Sequence, residues 1–237
     1  MPDVAARYDW ECRHVLHRAD QDVGFWLELA RSVGSPILEL ACGTGRLTIE
    51  LARAGLEVVG LDNDPVMLAA AKRRSQAPEP ITLVAADMRR FALSRRFPLV
   101  FVGYNSLQLL TEPGDMVACL SLARDHLAPG GLVGVEVTDF QRGGADGPDD
   151  QEEDGTLVPL ADAEGIRLAG SLVHDLAART SRYRRRFAGD GWALEDDVVV
   201  RSLDQAELET IIQQANLTVA RCFAAGATIR VLAAAPS

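Results

Sequence analysis

Residues 37–62 read ILELACGTGRLTIELARAGLEVVGLD, and this stretch decides the fold. Pro36-Ile37-Leu38-Glu39-Leu40-Ala41 is a short apolar run, of the kind that makes a strand buried on both faces. Gly43 and Gly45 follow, letting the backbone turn sharply and leaving room for a ligand to approach it. Leu47, Leu51 and Ala54 recur at i, i+4 and i+7, an apolar helical stripe that Gly55 stops. Leu56-Glu57-Val58-Val59-Gly60-Leu61 is the next strand, with Asp62 at its carboxyl end. A glycine turn opening a helix, with an acid after the following strand, is the pattern of a nucleoside-cofactor site.

The details of the turn choose between cofactors. A dinucleotide fingerprint has a third glycine, and the run Gly43-Thr44-Gly45-Arg46-Leu47-Thr48 lacks it. Upstream stands Glu39, in E-x-A-x-G-x-G. A fixed negative charge there would repel a pyrophosphate and suit a cationic ligand bearing an amino acid. The run ELACGTGR at 39–46 resembles motif I of the class I S-adenosylmethionine-dependent methyltransferases. One departure is Ala41, where that family usually carries another glycine. The resemblance covers residues 36–138 strongly and the ends loosely.

The resemblance implies a role for several residues of this sequence in turn. Glu39 lies near the methionyl amino group, and Ala41, Gly43 and Gly45 form the backbone floor. Asp62 takes both ribose hydroxyls, since a carboxylate offers two acceptors to two donors. Asn63 and Met67 border the adenine, Asp87 takes its amino group, and the Met88 N–H is nearby. Tyr104 and Asn105 face the methionyl and methyl end. Tyr8, in Tyr8-Asp9-Trp10, helps close over the cofactor; the plainer reading is that Tyr8 and Trp10 only anchor their helix.

Composition bounds the rest. The chain has 237 residues, 48% hydrophobic and 24% charged, and reads as one soluble α/β domain with an embellishment. No apolar run approaches the roughly 18 residues of a membrane span, and the first residues lack the apolar core of a secretory signal. Cys12, Cys42, Cys119 and Cys222 are scattered without metal spacing, as expected of thiols in a reducing, cytoplasmic compartment. The net charge of −10 argues against a nucleic-acid partner. No metal is expected: the acidic stretch at 141–156 has no ligand spacing.

Along the chain, helices are expected at about 8–17 and 22–31, the second from Trp26, Leu29, Ala30 and Val33. Asn63-Asp64-Pro65 opens a helix that ends near Arg74. Strands follow at 81–86, 98–102 and 132–138, with a helix from Pro113 to the Pro129-Gly130-Gly131 stop. Strict alternation makes the sheet doubly wound and mostly parallel. Residues 141–156 read as an acidic loop. Segments 166–174, 179–187 and 192–201 read as an antiparallel meander, with Gly189-Asp190-Gly191 as its last turn. Ser202-Leu203-Asp204-Gln205 reads as a capping box, and 217–223 with 228–233 as a terminal hairpin. The expected fold is thus a seven-stranded, Rossmann-like α/β sheet with a β-meander inserted after the fifth strand. Its parts are a helical cap or lid at 1–35, a core at 36–140 and 203–237, and the acidic loop plus meander at 141–202.

The expected function is transfer of a methyl group from S-adenosylmethionine to nitrogen or oxygen of a small-molecule acceptor, in secondary metabolism, by in-line displacement. Proximity supplies most of the acceleration, and a base is needed only if the acceptor arrives protonated. Candidate bases are Glu136, Asp139 and His174; His14, His17 and His126 read as surface or helix residues. Arg182, Arg184 and Arg186 share one face of a strand, either a charged edge that resists aggregation or a patch for an anionic acceptor. A homodimer is a further expectation. The rivals are a non-catalytic S-adenosylmethionine-binding protein, a nicotinamide-dependent oxidoreductase, and a protein or tRNA methyltransferase.

Overall fold

The computed structural model describes residues 1–15, 19–75, 80–140 and 156–236. The apolar run after Pro36 forms β1 (Ile37–Leu40), with all four residues buried. It pairs in parallel with β2 (Val58–Asp62) on one side and β4 (Phe97–Val102) on the other. β3 (Ile81–Ala85) adds in parallel to β2, and β5 (Leu127–Thr138) to β4. The C-terminal hairpin, β10 (Thr218–Ala225) and β11 (Thr228–Ala234), joins antiparallel to β5. The seven strands run β10-β11-β5-β4-β1-β2-β3, and the doubly wound, mostly parallel sheet is the one expected.

Period-two alternation divides the core into two layers. Leu38, Leu40, Val59, Leu61, Val100 and Val102 face α5 (Pro113–Asp125) and α6 (Gln205–Gln214). Ile37, Val58, Leu99 and Phe101 face α2 (Ala19–Val33) and α3 (Arg46–Arg53). On that face Trp26 stacks on Phe101, with ring centroids 4.5 Å apart. Gly134 makes room for it: a Cβ there would stand 2.6 Å from the Trp26 ring. Truncating so large a buried ring costs about 3–5 kcal/mol.

The insertion is a separate antiparallel sheet of four strands, β6 (Val158–Ala163), β7 (Ile166–Asp175), β8 (Thr180–Gly189) and β9 (Trp192–Arg201). The sequence pattern gave only the last three. β6 is an edge strand carrying Pro159, a residue that weakens a strand reading. Its hairpin turn is Glu164-Gly165, with both residues at positive φ.

Three boundaries also differ from expectation. α1 spans Val4–His14, because the Asp3 side chain accepts the Ala6 N–H at 2.8 Å and caps the helix well before Tyr8. The Pro-Gly-Gly at 129–131 lies inside β5, with Gly130 at φ 73°, and α5 ends before it at Asp125. At α6 the cap is Asp204, accepting the Glu207 N–H, while Ser202 bonds Ser181 instead. The acidic stretch at 141–155 and His17 lie outside the described residues.

Helix α1 ties the two sheets together. Trp10 is buried against Leu168 and Phe187 of the meander, and its indole N–H donates to the Ala163 carbonyl at 3.3 Å. One residue earlier, Asp9 accepts from Thr44 at 2.7 Å and from Arg74 at 2.8 Å on the core side. Among the described residues no helix is long and apolar enough to cross a membrane.

Candidate active site

The carboxyl ends of β1, β2, β3, β4 and β5 open into a cavity of about 1400 Å³, roofed by α1 and walled by β7, β8 and β9. Small-molecule pockets typically hold 300–1,000 Å³, so there is room for a cofactor and an acceptor together.

The floor follows from the turn after β1. Ala41, Gly43 and Gly45 all adopt positive φ, at 55°, 55° and 78°. A Cβ built at Gly43 would meet nothing within 4 Å, so the backbone there faces open space. Gly45 does not reach the cavity. It begins α3, and a Cβ there would press at 3.1–3.3 Å on Ile49 and Ala71, so its role is packing.

Glu39 departs further from expectation. Alternation along β1 aims it at α3, where the Thr48 hydroxyl donates to it, and it is not among the cavity-lining residues. Burial pushes its pKa up to about 8, only partly offset by Thr48 and the Arg46 charge. Burial therefore favours the neutral carboxyl, which weakens the repulsion reasoned from a fixed charge at this position.

Asp62 is better placed. Its carboxylate accepts the Gly43 N–H at 2.8 Å and the Asp64 N–H at 2.9 Å while lining the cavity. A carboxylate offers about four acceptor sites, so two remain for vicinal hydroxyls. Asn63, Met67 and Met88 line the cavity beside it. Asp87 also lines it, but Arg89 grips both carboxylate oxygens, at 3.0 Å and 2.6 Å. That guanidinium lowers the Asp87 pKa to about 2.

At the other end, Tyr104 and Asn105 follow β4 in left-handed conformations, with φ 50° and 61°. Tyr104 lies under the Arg46 guanidinium, 4.7 Å from its ring centroid, and burial raises its pKa. Asn105 accepts from the Thr138 hydroxyl at 2.9 Å. Arg46 itself is clamped by Asp22, with contacts of 2.8 and 2.5 Å. Burial works against its charge, and the Asp22 hydrogen bonds more than offset this. Tyr8 lines the cavity close to Cys12 and Arg46, and burial raises its pKa. Within Tyr8-Asp9-Trp10, then, Trp10 and Asp9 are anchors and Tyr8 faces the site.

Of the candidate bases, Glu136 lines the cavity, buried and bonded to Arg230 at 2.6 Å; burial raises its pKa. His174 lines the meander wall, and its Nδ1 lies 2.8 Å from the Ser181 hydroxyl, which continues to Ser202. Asp139 is buried but does not line the cavity.

The arginine face is corrected by the strand register. Arg182, Arg184 and Arg186 point away from the cavity and pair with Asp197, Asp197 and Glu195 across β9. Tyr183, Arg185 and Phe187 point inward, and Arg185 is bonded to Glu11 at 2.7 Å and Asp196 at 2.8 Å. Sequence reasoning missed Arg185, Glu11 and Gln108. Arg185 was recoverable from the same alternation, because Tyr183 and Phe187 mark the apolar face.

Residues 37–131 match a family model described as a methyltransferase domain. A dTDP-3-amino-3,4,6-trideoxy-alpha-D-glucopyranose N,N-dimethyltransferase of Streptomyces venezuelae is 30% identical over 191 residues, covering 78% of this chain and 76% of that protein. A putative methyltransferase of Bacillus subtilis, YqeM, is 30% identical over 157 residues, covering 64% of this chain and 63% of its own. The chain spans only about half the length of two further Streptomyces relatives, at 51% and 46%. Among solved structures, Streptomyces venezuelae DesVI superposes with a TM-score of 0.79 and 25% identity, covering 100% of both chains. A nucleoside-type floor, an acid with free acceptors at the tip of β2 and this ancestry agree on S-adenosylmethionine as the cofactor, and the chain belongs to the class I, small-molecule type of S-adenosylmethionine-dependent methyltransferases.

Proposed function

We propose that this chain transfers the methyl group of S-adenosylmethionine to a nitrogen or oxygen of a small-molecule acceptor bound in the same cavity. The observation that carries this is that one cavity is lined both by Asp62, Met88 and Tyr104 of the core and by Leu172, His174 and Val198 of the meander. When bound, the cofactor supplies a sulfonium-activated methyl group, so the intrinsic reactivity is its own.

The protein's contribution is binding, orientation and exclusion of water. Asp62 accepts the ribose hydroxyls, and Asn63, Met67 and Met88 border the base, with Asp87 beside them. Ala41 and Gly43 give the floor. Tyr8, Tyr104 and Asn105 enclose the methionyl end. Placing a nucleophile about 3 Å from the methyl group raises its effective molarity enough to supply much of the acceleration. A protonated acceptor loses its proton to Glu136 or His174; burial makes Glu136 more basic than a free carboxylate.

In this reading residues 1–35 are the cap, 36–140 with 203–237 the core and 141–202 the insertion, whose strands β7, β8 and β9 wall the acceptor chamber. The protein works in the cytoplasm, in secondary metabolism, and as a homodimer; light scattering tests the last point. The function itself is tested by calorimetry with S-adenosylhomocysteine and with NADH, then by label transfer from methyl-tritiated S-adenosylmethionine to an acceptor panel. Tight S-adenosylhomocysteine binding with acceptor-dependent transfer supports it. NADH uptake in its place would overturn it, and cofactor binding without transfer to any acceptor would favour a non-catalytic binding protein.

A further inference from the structure

We infer that the acceptor is carried on an apolar, unphosphorylated body, which sets this chain apart from methyltransferases named for nucleotide-linked sugars. The inference rests on the methyltransferase reading above and concerns the acceptor end of the same cavity.

Charge comes first. A diphosphate needs guanidinium donors free to meet it, usually in bidentate pairs. Among the described residues four arginines line the cavity, and each lies within 3.5 Å of a carboxylate. On the acceptor wall Arg185 lies between Glu11 and Asp196, and Arg7 is 3.5 Å from Asp196. Arg230 is bonded to Glu136 at the methyl end, and Arg89 to Asp87 and Asp115 at the adenine end. Among the described residues eight carboxylates line the cavity with these four cations, so its field disfavours a polyanion. The arginines that alternation places on the other face of β8 are outside the cavity and ion-paired across to β9.

Shape and polarity come second. Leu172, Val198 and Val200 form the meander wall facing the core. Six large hydrophobic residues are exposed among the described residues, and three of them, Leu109, Val173 and Leu176, line this one cavity. Leu176 is 71% exposed. Single exposed leucines are ordinary, whereas three around one cavity mark a surface that an apolar ligand covers. The Streptomyces venezuelae relative is named for a dTDP-linked amino sugar; this wall offers apolar contact and neutralised arginines in place of phosphate donors.

The test begins with S-adenosylhomocysteine calorimetry, where failure would count against the methyltransferase reading and not against the acceptor class. The cofactor-saturated protein is then titrated with thymidine diphosphate and, separately, with the neutral apolar amine N-phenyl-1-naphthylamine, followed by fluorescence. The expected result is saturable uptake of the naphthylamine, weakened about tenfold or more by Leu176→Asp together with Leu109→Asp, and no saturable binding of the nucleotide. Micromolar binding of thymidine diphosphate, or absence of naphthylamine binding, would overturn the inference. Glu11→Gln with Asp196→Asn releases Arg185 and Arg7, and nucleotide binding should then appear. Asp196→Asn alone, which leaves Glu11 on Arg185 and frees Arg7, serves if the pair does not fold. Retained cofactor affinity without any gain in nucleotide binding would show that these carboxylates are not what excludes phosphate.

Discussion

Asp62 Oδ2 accepts the Gly43 N–H at 2.8 Å, so the acid at the tip of β2 holds the glycine turn that follows β1. Its other oxygen accepts the Asp64 N–H at 2.9 Å, which also fixes the approach to α4 (Pro65–Arg74). The same carboxylate therefore shapes the floor and keeps acceptor capacity for ribose. Asp62→Ala should weaken S-adenosylhomocysteine binding by a few kcal/mol, on the order of 100-fold in calorimetry, because charge-assisted hydrogen bonds are lost. Asp62→Asn should fall between, since an amide has one oxygen to offer where two N–H groups now bind. Parent-like affinity in Asp62→Ala would refute the ribose assignment.

Glu39 makes a different prediction, in stability. Its pKa is raised to about 8 by burial. The folded chain keeps a proton that the unfolded chain sheds above its ordinary value of 4.5. This group's contribution to stability is therefore lost as pH climbs from there to about 8, and it is constant above. Glu39→Gln can keep an acceptor for Thr48 and removes the titration. Its melting temperature should exceed the parent's by a margin that widens between about pH 5 and 8, worth on the order of a few kcal/mol at the top. A margin independent of pH would contradict the buried, protonated carboxyl.

What could be read in advance follows from how local each signal is. The β1–α3–β2 unit was legible because Gly43, Gly45, the helical stripe and Asp62 all lie within 26 residues and each acts on its neighbours. The side-chain direction of Glu39 was not, because the resemblance placed its charge toward the ligand while alternation along β1 turns it under α3. At the meander Arg182, Arg184 and Arg186 were grouped correctly as one charged face; Tyr183 and Phe187 mark the opposite face as apolar, and the structure seats that face on α1, with Phe187 packed on Trp10 and the Tyr183 hydroxyl donating to Glu11. β6 was missed because Pro159 weakens the strand pattern of a segment that lies at the edge of its sheet.

That corrected face separates two sets of arginines experimentally. Arg182, Arg184 and Arg186 replaced together by Gln should leave the KM for the acceptor unchanged and cost little stability, since exposed ion pairs are worth about 0–1 kcal/mol each. Arg185→Ala should cost about 3–5 kcal/mol, because it strands Glu11 and Asp196 in a largely buried network. Thermal melts of the two proteins check the contrast. A rise in acceptor KM in the triple variant would restore the exposed face as a substrate surface.

The join between core and meander rests on Gln108, which is fully buried. Its amide N–H groups donate to the carbonyls of Thr138 at 2.9 Å and Arg201 at 2.8 Å, and its oxygen accepts the Thr138 N–H at 2.9 Å. One side chain in the 3-10 turn Ser106–Leu109 thus ties the end of β5 to the end of β9. No apolar residue of similar volume can replace it, because Gln108→Leu leaves three backbone groups to find other partners. The expected loss is about 2–4 kcal/mol, by the cost of unsatisfied buried groups. Asp62 and the turn after β1 share no hydrogen bond with Gln108, so S-adenosylhomocysteine affinity should stay near the parent's while the KM for the acceptor rises. Equal loss of both affinities would mean that the meander is not separately positioned by this contact.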